Sequence, residues 1–348
     1  MTIMDEHIRK ILQERQYTQE ECYKRLGRTR DDIAGDIQPA IAVELEFLLD
    51  MDARNICGCS VQRLTAERKR FLKRLEGREM EDFARKFPVR ALKGMGYLSG
   101  GHSLPWEILK FMGVSSIEGW KSYYGDLQGT VNPYAYSAWI RLGELKCERP
   151  KGEIPLDRSE IEENLFFLRK NAFSLQINLR KMAKEALEAC GFLMLQVPAF
   201  TTAPLPDAAC YWCGNRPVIQ FSGNTISDVR FLKALYHAVG HILMHPKRSV
   251  CLQGSLTQPT ADRQSADVNP EGAIRNKREQ EAELFAERLL LTEAEECEII
   301  CCGRFAERGC IEYFSRVFKV RPGIIVDRLQ QQKKLPRRTL LNSFKVAV

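Results

Sequence analysis

The stretch Leu235-Tyr236-His237-Ala238-Val239-Gly240-His241-Ile242-Leu243-Met244-His245 holds three of the chain's five histidines. Its small and apolar residues predict a buried helix. Four residues along an α-helix turn through about 400°, so His237 and His241 project from one face, one turn apart. Their imidazoles can then share one Zn²⁺ at about 2.0–2.1 Å. A buried histidine needs partners for its ring nitrogens; a metal is one answer, a backbone carbonyl or carboxylate the other. In zinc peptidases with this spacing a glutamate follows the first histidine, and here that position is Ala238.

A third ligand is sought downstream. Within residues 278–291, Ala282, Phe285, Ala286, Leu289 and Leu290 recur at i, i+3, i+4, i+7 and i+8, which predicts an amphipathic helix. Glu281 borders that stripe and is expected to point inward, whereas Glu283 and Glu287 fall on the solvent side. Two histidines and one carboxylate form a catalytic zinc set that leaves a fourth position for water.

These residues carry a resemblance. Pro217-Val218-Ile219-Gln220-Phe221-Ser222, then Asp228, Phe231, Leu235 and the run to His245, resemble the core of ImmA/IrrE-type metallopeptidases. Glu281-Ala282-Glu283-Leu284-Phe285-Ala286 is similar to that family's later E-A-[D/N]-x-F-A motif, departing from it at Glu283. The resemblance implies that His237, His241 and Glu281 bind the metal. Ligand type favours zinc and leaves manganese or another divalent ion open. In the H-E-x-x-H mechanism the glutamate takes a proton from zinc-bound water and hands it to the leaving amine. Ala238 can do neither. Losing such acid–base help, worth about 10²–10⁴-fold, predicts a chain that binds metal and substrate and barely cuts. With all three ligands and Gly240 retained, a deliberate Glu→Ala change in a working peptidase is preferred over a natural pseudo-peptidase.

Twelve cysteines in 348 residues raise the question of disulfides. Met1-Thr2-Ile3-Met4-Asp5-Glu6 leads into a polar helix, with neither a signal peptide nor a membrane-spanning run. A cytoplasmic chain with reduced thiols and no membrane partner is therefore expected. Cys22, Cys190 and Cys297 lie beside apolar residues and are expected to serve as packing. Cys210-Tyr211-Trp212-Cys213 is a CxxC without a second pair at zinc-finger spacing, so a second structural zinc is not expected. Cys210 and Cys213, just ahead of the strand before the metal helix, and Cys251, six residues past His245, are candidate regulatory thiols. A thiolate that reached the metal would displace its water.

The N-terminal third reads differently. Residues 5–16 are helix-patterned, with Ile8, Ile11 and Leu12 inward. Thr18 and Glu21 form a capping box, Gly27 closes the following helix, and Thr29 opens another through Ile37. Leu12, Glu14, Arg15, Thr18, Gln19, Glu21, Arg25, Leu26, Gly27, Thr29, Arg30 and Ile33 stand where the Xre-type helix-turn-helix of HigA-like antitoxins has its pattern. Gln19, Arg28 and Arg30 are the candidate DNA contacts. Asp31, Asp32 and Asp36 would meet phosphate with like charge, so dimerisation (a homodimer) or partner contact competes with DNA binding. Residues 54–93 carry twelve Lys/Arg against five Asp/Glu, an excess equal to the +7 of the whole chain. A helix from Leu64 to Phe83 with Leu64, Phe71, Leu72 and Leu75 on one side would display that charge on the other, to solvent or to phosphate.

The expected organisation is a helix-turn-helix domain at 1–65, a helical connector at 66–155 and a metallopeptidase domain at 156–348. The fold class is α+β, mostly α, with a small sheet. Phe87 to Leu92, Gly113 to Trp120 and Ala138 to Glu144 resemble the connector of the same fused regulators. Ile161 to Ala189 reads as a long helical region, Phe192 to Pro198 as a strand, 199–215 as a loop and 217–222 as a strand. A polar loop over 246–277 is expected to border the cleft, and two short helices follow Cys310. The resemblance implies cleavage of a repressor or antitoxin-like protein in stress response, phage defence, toxin–antitoxin control or mobile-element transfer. The competing class is a non-catalytic, antitoxin-like transcriptional regulator whose metal domain senses a signal or grips a partner.

Overall fold

The structure is a computed structural model that describes residues 10–14, 17–33, 37–127, 130–148, 155–174, 178–198, 200, 206–223, 226–245, 250–253 and 270–348. It is mostly helical with one small four-stranded mixed sheet. The chain divides into two compact units, the first reaching Glu153 and the second taking up most of the remainder.

In the first unit, residues 10–14 are helical, with Ile11 and Leu12 buried; Ile8, Arg15 and Asp36 lie outside the described residues. The helices that follow are α1 (Gln19–Leu26), α2 (Arg30–Ile33), α3 (Pro39–Leu49), α4 (Val61–Arg74), α5 (Arg78–Arg85), α6 (Val89–Gly94), α7 (Leu104–Met112), α8 (Ile117–Tyr123) and α9 (Pro133–Glu144). Thr18 caps α1 by accepting the Glu21 backbone N–H at 3.2 Å, and Gly27 ends it in the left-handed region at φ 66°. Gly27 also permits a close approach: a Cβ there would stand 2.7 Å from the Gly119 nitrogen of α8. The expected helix from Leu64 to Phe83 is broken into α4 and α5 at Gly77, whose φ is 110°. Leu64, Phe71 and Leu75 are buried as expected, but Leu72 is about half exposed because it sits one step around the helix from that row.

A buried ionic cluster ties the segment read as helix-turn-helix to the segment read as connector. Arg25 reaches Glu144 at 2.8 Å and Glu21 at 3.0 Å, and its guanidinium lies 3.7 Å from the Tyr123 ring centre. Arg141 adds a second contact to Glu144 at 2.8 Å. Burial opposes the charge on Glu144, yet the two guanidinium groups outweigh it and hold its carboxyl down at about 2. Such a cluster is costly to bury and costlier to break one partner at a time.

In the second unit, α10 (Arg158–Asn171) and α11 (Leu179–Ala189) occupy the long helical region expected over Ile161 to Ala189. The strands β1 (Leu193–Gln196), β2 (Ala208–Cys213), β3 (Arg216–Phe221) and β4 (Cys251–Gln253) lie in the order β1-β3-β2-β4. β1 pairs parallel to β3, and β2 pairs antiparallel to β4. Two of these strands, β2 and β4, fall where the sequence reading placed loops. β2 is buried at every residue, so it lacks the in–out alternation by which a half-exposed strand is read. The helices are α12 (Asp228–Met244), α13 (Pro270–Leu290), α14 (Glu293–Cys301), α15 (Arg308–Phe318) and α16 (Pro322–Gln331). The last two are the pair expected past Cys310. α13 begins at Pro270, inside the expected loop, while 254–269 lie outside the described residues.

The start of α12 is fixed from both sides. Ser227 caps it by accepting the Arg230 N–H, and buried Asp228 pairs with buried Arg321 at 2.9 Å while accepting the Val346 N–H at 3.1 Å. Farther along, the Tyr236 hydroxyl donates to the Leu165 carbonyl at 2.6 Å. α12 then crosses α13 at Gly240, where a Cβ would meet Phe285 at 3.0 Å and the Ala282 backbone at 3.2 and 3.3 Å. Gly240, Ala282 and Ala286 thus bring the two helices near enough for their polar side chains to meet.

Candidate metal centre

His237 and His241 share one face near the end of α12, and His245, four residues further on, is the extended residue that closes the helix. All three are buried, at 4, 4 and 9% exposure. The Nε2 atoms of His237 and His241 face each other at 2.8 Å. The Glu279 carboxylate, from α13, lies 3.3 Å from His237 Nε2 and 3.4 Å from His241 Nε2. These three residues offer ligand atoms that all lie within 4.8 Å of one another.

The remaining ring nitrogens are also accounted for. His237 Nδ1 lies 3.1 Å from Glu283, which is steadied by Lys233 at 3.5 Å. His241 Nδ1 lies 2.9 Å from His245 Nδ1, and His245 Nε2 lies 3.1 Å from Glu281. One set of tautomers satisfies all of this. His237 donates from Nδ1 to Glu283, His241 donates from Nδ1 to His245, and His245 donates from Nε2 to Glu281. Both Nε2 lone pairs then point at the same spot beside a carboxylate, the pattern of metal-ligating histidines oriented by outer partners. Two lone pairs at 2.8 Å need a proton or a cation between them. Tetrahedral coordination at about 2.0–2.1 Å would set them about 3.4 Å apart, an opening of about half an ångström. The donor set fits a divalent cation.

Charge follows the same geometry. Burial disfavours the ionised form of Glu279, but the close His237 and His241 imidazoles outweigh it and pull the carboxyl down to about 2. Burial likewise works against protonated His241, while its contacts with Cys251 and Glu279 prevail and raise it to about 8. His237 is raised against burial by Glu279 and Glu283. His245 is lowered, first by burial and then by neighbouring His241, with Glu281 opposing.

The carboxylate that stands beside the two histidines is Glu279, two residues ahead of the expected Glu281. Glu281 does not stand with His237 and His241; it binds His245 one shell further out, and Glu279 takes its place. Glu283, read as solvent-facing, is the partner of His237. The signal was present: Glu279 precedes Ala282 by three residues and Ala286 by seven, so the apolar stripe extended one turn back passes through it. Counting from Gly240's contact with Ala282 would have selected the same face, but that contact is tertiary.

Ala238 is 2% exposed and belongs to the apolar core of the second unit, so it offers no proton acceptor. Glu283 and Glu281 are engaged by His237 and His245. None of the twelve cysteines, all among the described residues, is in a disulfide. Two of the three candidate thiols join the site's edge: Cys210 and Cys251 are directly opposite in the β2–β4 pairing, and β4 packs against α12. Cys213 ends β2 and is buried.

In the first unit, Arg28 is held by buried Glu44 at 3.1 Å, Arg30 is exposed and Gln19 is half-buried. Asp32 is turned back onto Thr29, accepting its N–H at 2.7 Å and its hydroxyl at 2.8 Å. No helix among the described residues is long and apolar enough to cross a membrane. No family model, curated protein or solved structure matches this chain.

Proposed function

We propose that the second unit is a zinc-binding module of the ImmA/IrrE metallopeptidase type, built to engage a repressor or antitoxin-like protein and halted before bond cleavage by Ala238. The observation that carries this reading is the convergence of His237 Nε2, His241 Nε2 and Glu279. A bound zinc would polarise a substrate carbonyl and acidify water. The chain's own contribution is to hold the ligands: Glu283 orients His237, and Glu281 orients His241 through His245. What the chain lacks is a group to take and return the proton. In the first unit, Gln19 and Arg30 are the side chains offered to DNA, since Arg28 is engaged by Glu44. Twelve cysteines outside any disulfide suit the reducing cytoplasm.

The test is metal analysis of the purified chain with cleavage assays on the products of neighbouring genes, using Ala238→Glu. Stoichiometric zinc and cleavage raised by about 10²–10⁴-fold in the variant are expected. Zinc without restored cleavage would favour the second reading, a non-catalytic regulator that uses its metal domain to sense or grip. That reading draws on the apolar packing around Ala238, which gives a glutamate side chain an unfavourable home. Absence of zinc in the folded chain would sink the metal reading.

A further inference from the structure

Cys210 and Cys251 have no role in the chemistry above, and the sheet nevertheless places them together. β4 runs antiparallel to β2 with Ala208 opposite Gln253, Ala209 opposite Leu252 and Cys210 opposite Cys251. Directly opposed residues in such a ladder have Cα atoms about 4.5 or about 5.5 Å apart. Both values fall inside the span that a disulfide bridges, about 4.4–6.8 Å. β4 also packs against α12, the helix that carries His237 and His241. Cys210 is buried, while Cys251 is partly exposed and open to a small reagent.

We propose that Cys210 and Cys251 are a reversible redox pair that sets the metal affinity of the adjacent centre, with small-molecule disulfides as the oxidant. The inference rests on the metal-binding reading of His237, His241 and Glu279. Cys251 attacks the reagent RSSR, forming Cys251–S–SR and releasing one RSH with the thiol proton. Cys210 then attacks the Cys251 sulfur of that mixed disulfide, forming the Cys210–Cys251 bond and expelling the second RSH. Two protein thiols are oxidised and one reagent disulfide is reduced to two thiols. Once bridged, β4 is pinned to β2 and shifts against α12, the ligand helix on which it packs. The supports that orient metal-bound histidines are worth about 10–100-fold in metal affinity, so displacing α12 weakens zinc binding by that factor in the oxidised chain.

The experiment treats the full chain with hydroxyethyl disulfide, maps disulfides by peptide mass spectrometry, and measures zinc affinity by competition with a chromophoric chelator. The expected result is a Cys210–Cys251 linked peptide, removed by excess thiol, and a 10–100-fold loss of zinc affinity in the oxidised wild type. Cys210→Ser, treated identically, keeps its affinity. The pair of exposed Cys302 and half-buried Cys310, with sulfurs 3.3 Å apart, is an internal control for oxidation. Oxidation there without a Cys210–Cys251 peptide overturns the proposal, as does a linked peptide with unchanged zinc affinity. Failure of the reduced chain to bind zinc overturns the metal reading itself, and this regulation with it; the reduced and oxidised arms thereby separate the two.

Discussion

At the scale of single residues, the two histidines and the carboxylate beside them set the chemistry. Glu279 and Glu281 are two residues apart on one helix and make different contacts, so they answer differently to substitution. Glu279→Ala removes a ligand and is expected to abolish stoichiometric zinc binding at micromolar metal. Glu281→Ala removes an orienting carboxylate one histidine away and is expected to weaken binding by about 10–100-fold while leaving a one-to-one complex. Chelator competition on both variants checks this, and equal losses would return the ligand role to Glu281. Under the proposed function, turnover would depend on position 238, because the other two site glutamates already serve histidines.

At the scale of elements, the centre exists because α12 and α13 cross without a side chain between them. Gly240 lies against the Ala282 backbone and the Phe285 ring. Gly240→Val inserts three carbons into a contact that already has no room for one. Overpacking of this kind costs about 1–3 kcal/mol. The expected outcome is a lower melting temperature together with zinc affinity reduced more than the stability loss alone explains, since Glu279 moves away from His237 and His241. Calorimetry with and without zinc checks it; a variant with wild-type zinc affinity would show that the helix crossing does not set the ligand geometry.

At the scale of the whole molecule, each unit is fastened by buried charge across long stretches of sequence. Asp228 and Arg321 join residues 93 apart in the second unit, and Arg25 and Glu144 join residues 119 apart in the first. Glu144→Gln leaves Arg25 and Arg141 without their shared carboxylate and is expected to cost about 3–5 kcal/mol in the first unit. The pH dependence has a definite sign. Glu144 is depressed from its ordinary 4.5 to about 2, so its contribution is complete above about 4.5 and is lost as pH falls towards 2. Near-UV circular dichroism of the full chain, titrated between pH 5 and 2 (about the span of the shift), should show acid unfolding that the Gln variant lacks. An unchanged acid transition in that variant would remove Glu144 as its cause.

Local sequence rules set much of what is found. The histidine spacing fixed one face of α12, Thr18 and Gly27 fixed the ends of α1, and the apolar stripe at Ala282, Phe285 and Ala286 fixed the buried side of α13. Each depends only on residues within a turn or two, where helical geometry makes sequence distance into spatial distance. Tertiary structure decided what depends on distant segments. It chose Glu279 over Glu281, because the register of α13 against α12 is set where Gly240 meets Ala282. It made β2 and β4 strands and brought Cys251 to Cys210 and β4 to α12, because pairing and burial there come from segments far apart in the chain. Sequence determined which groups were available for metal chemistry; the crossing of two helices and the register of two strands decided which of them meet.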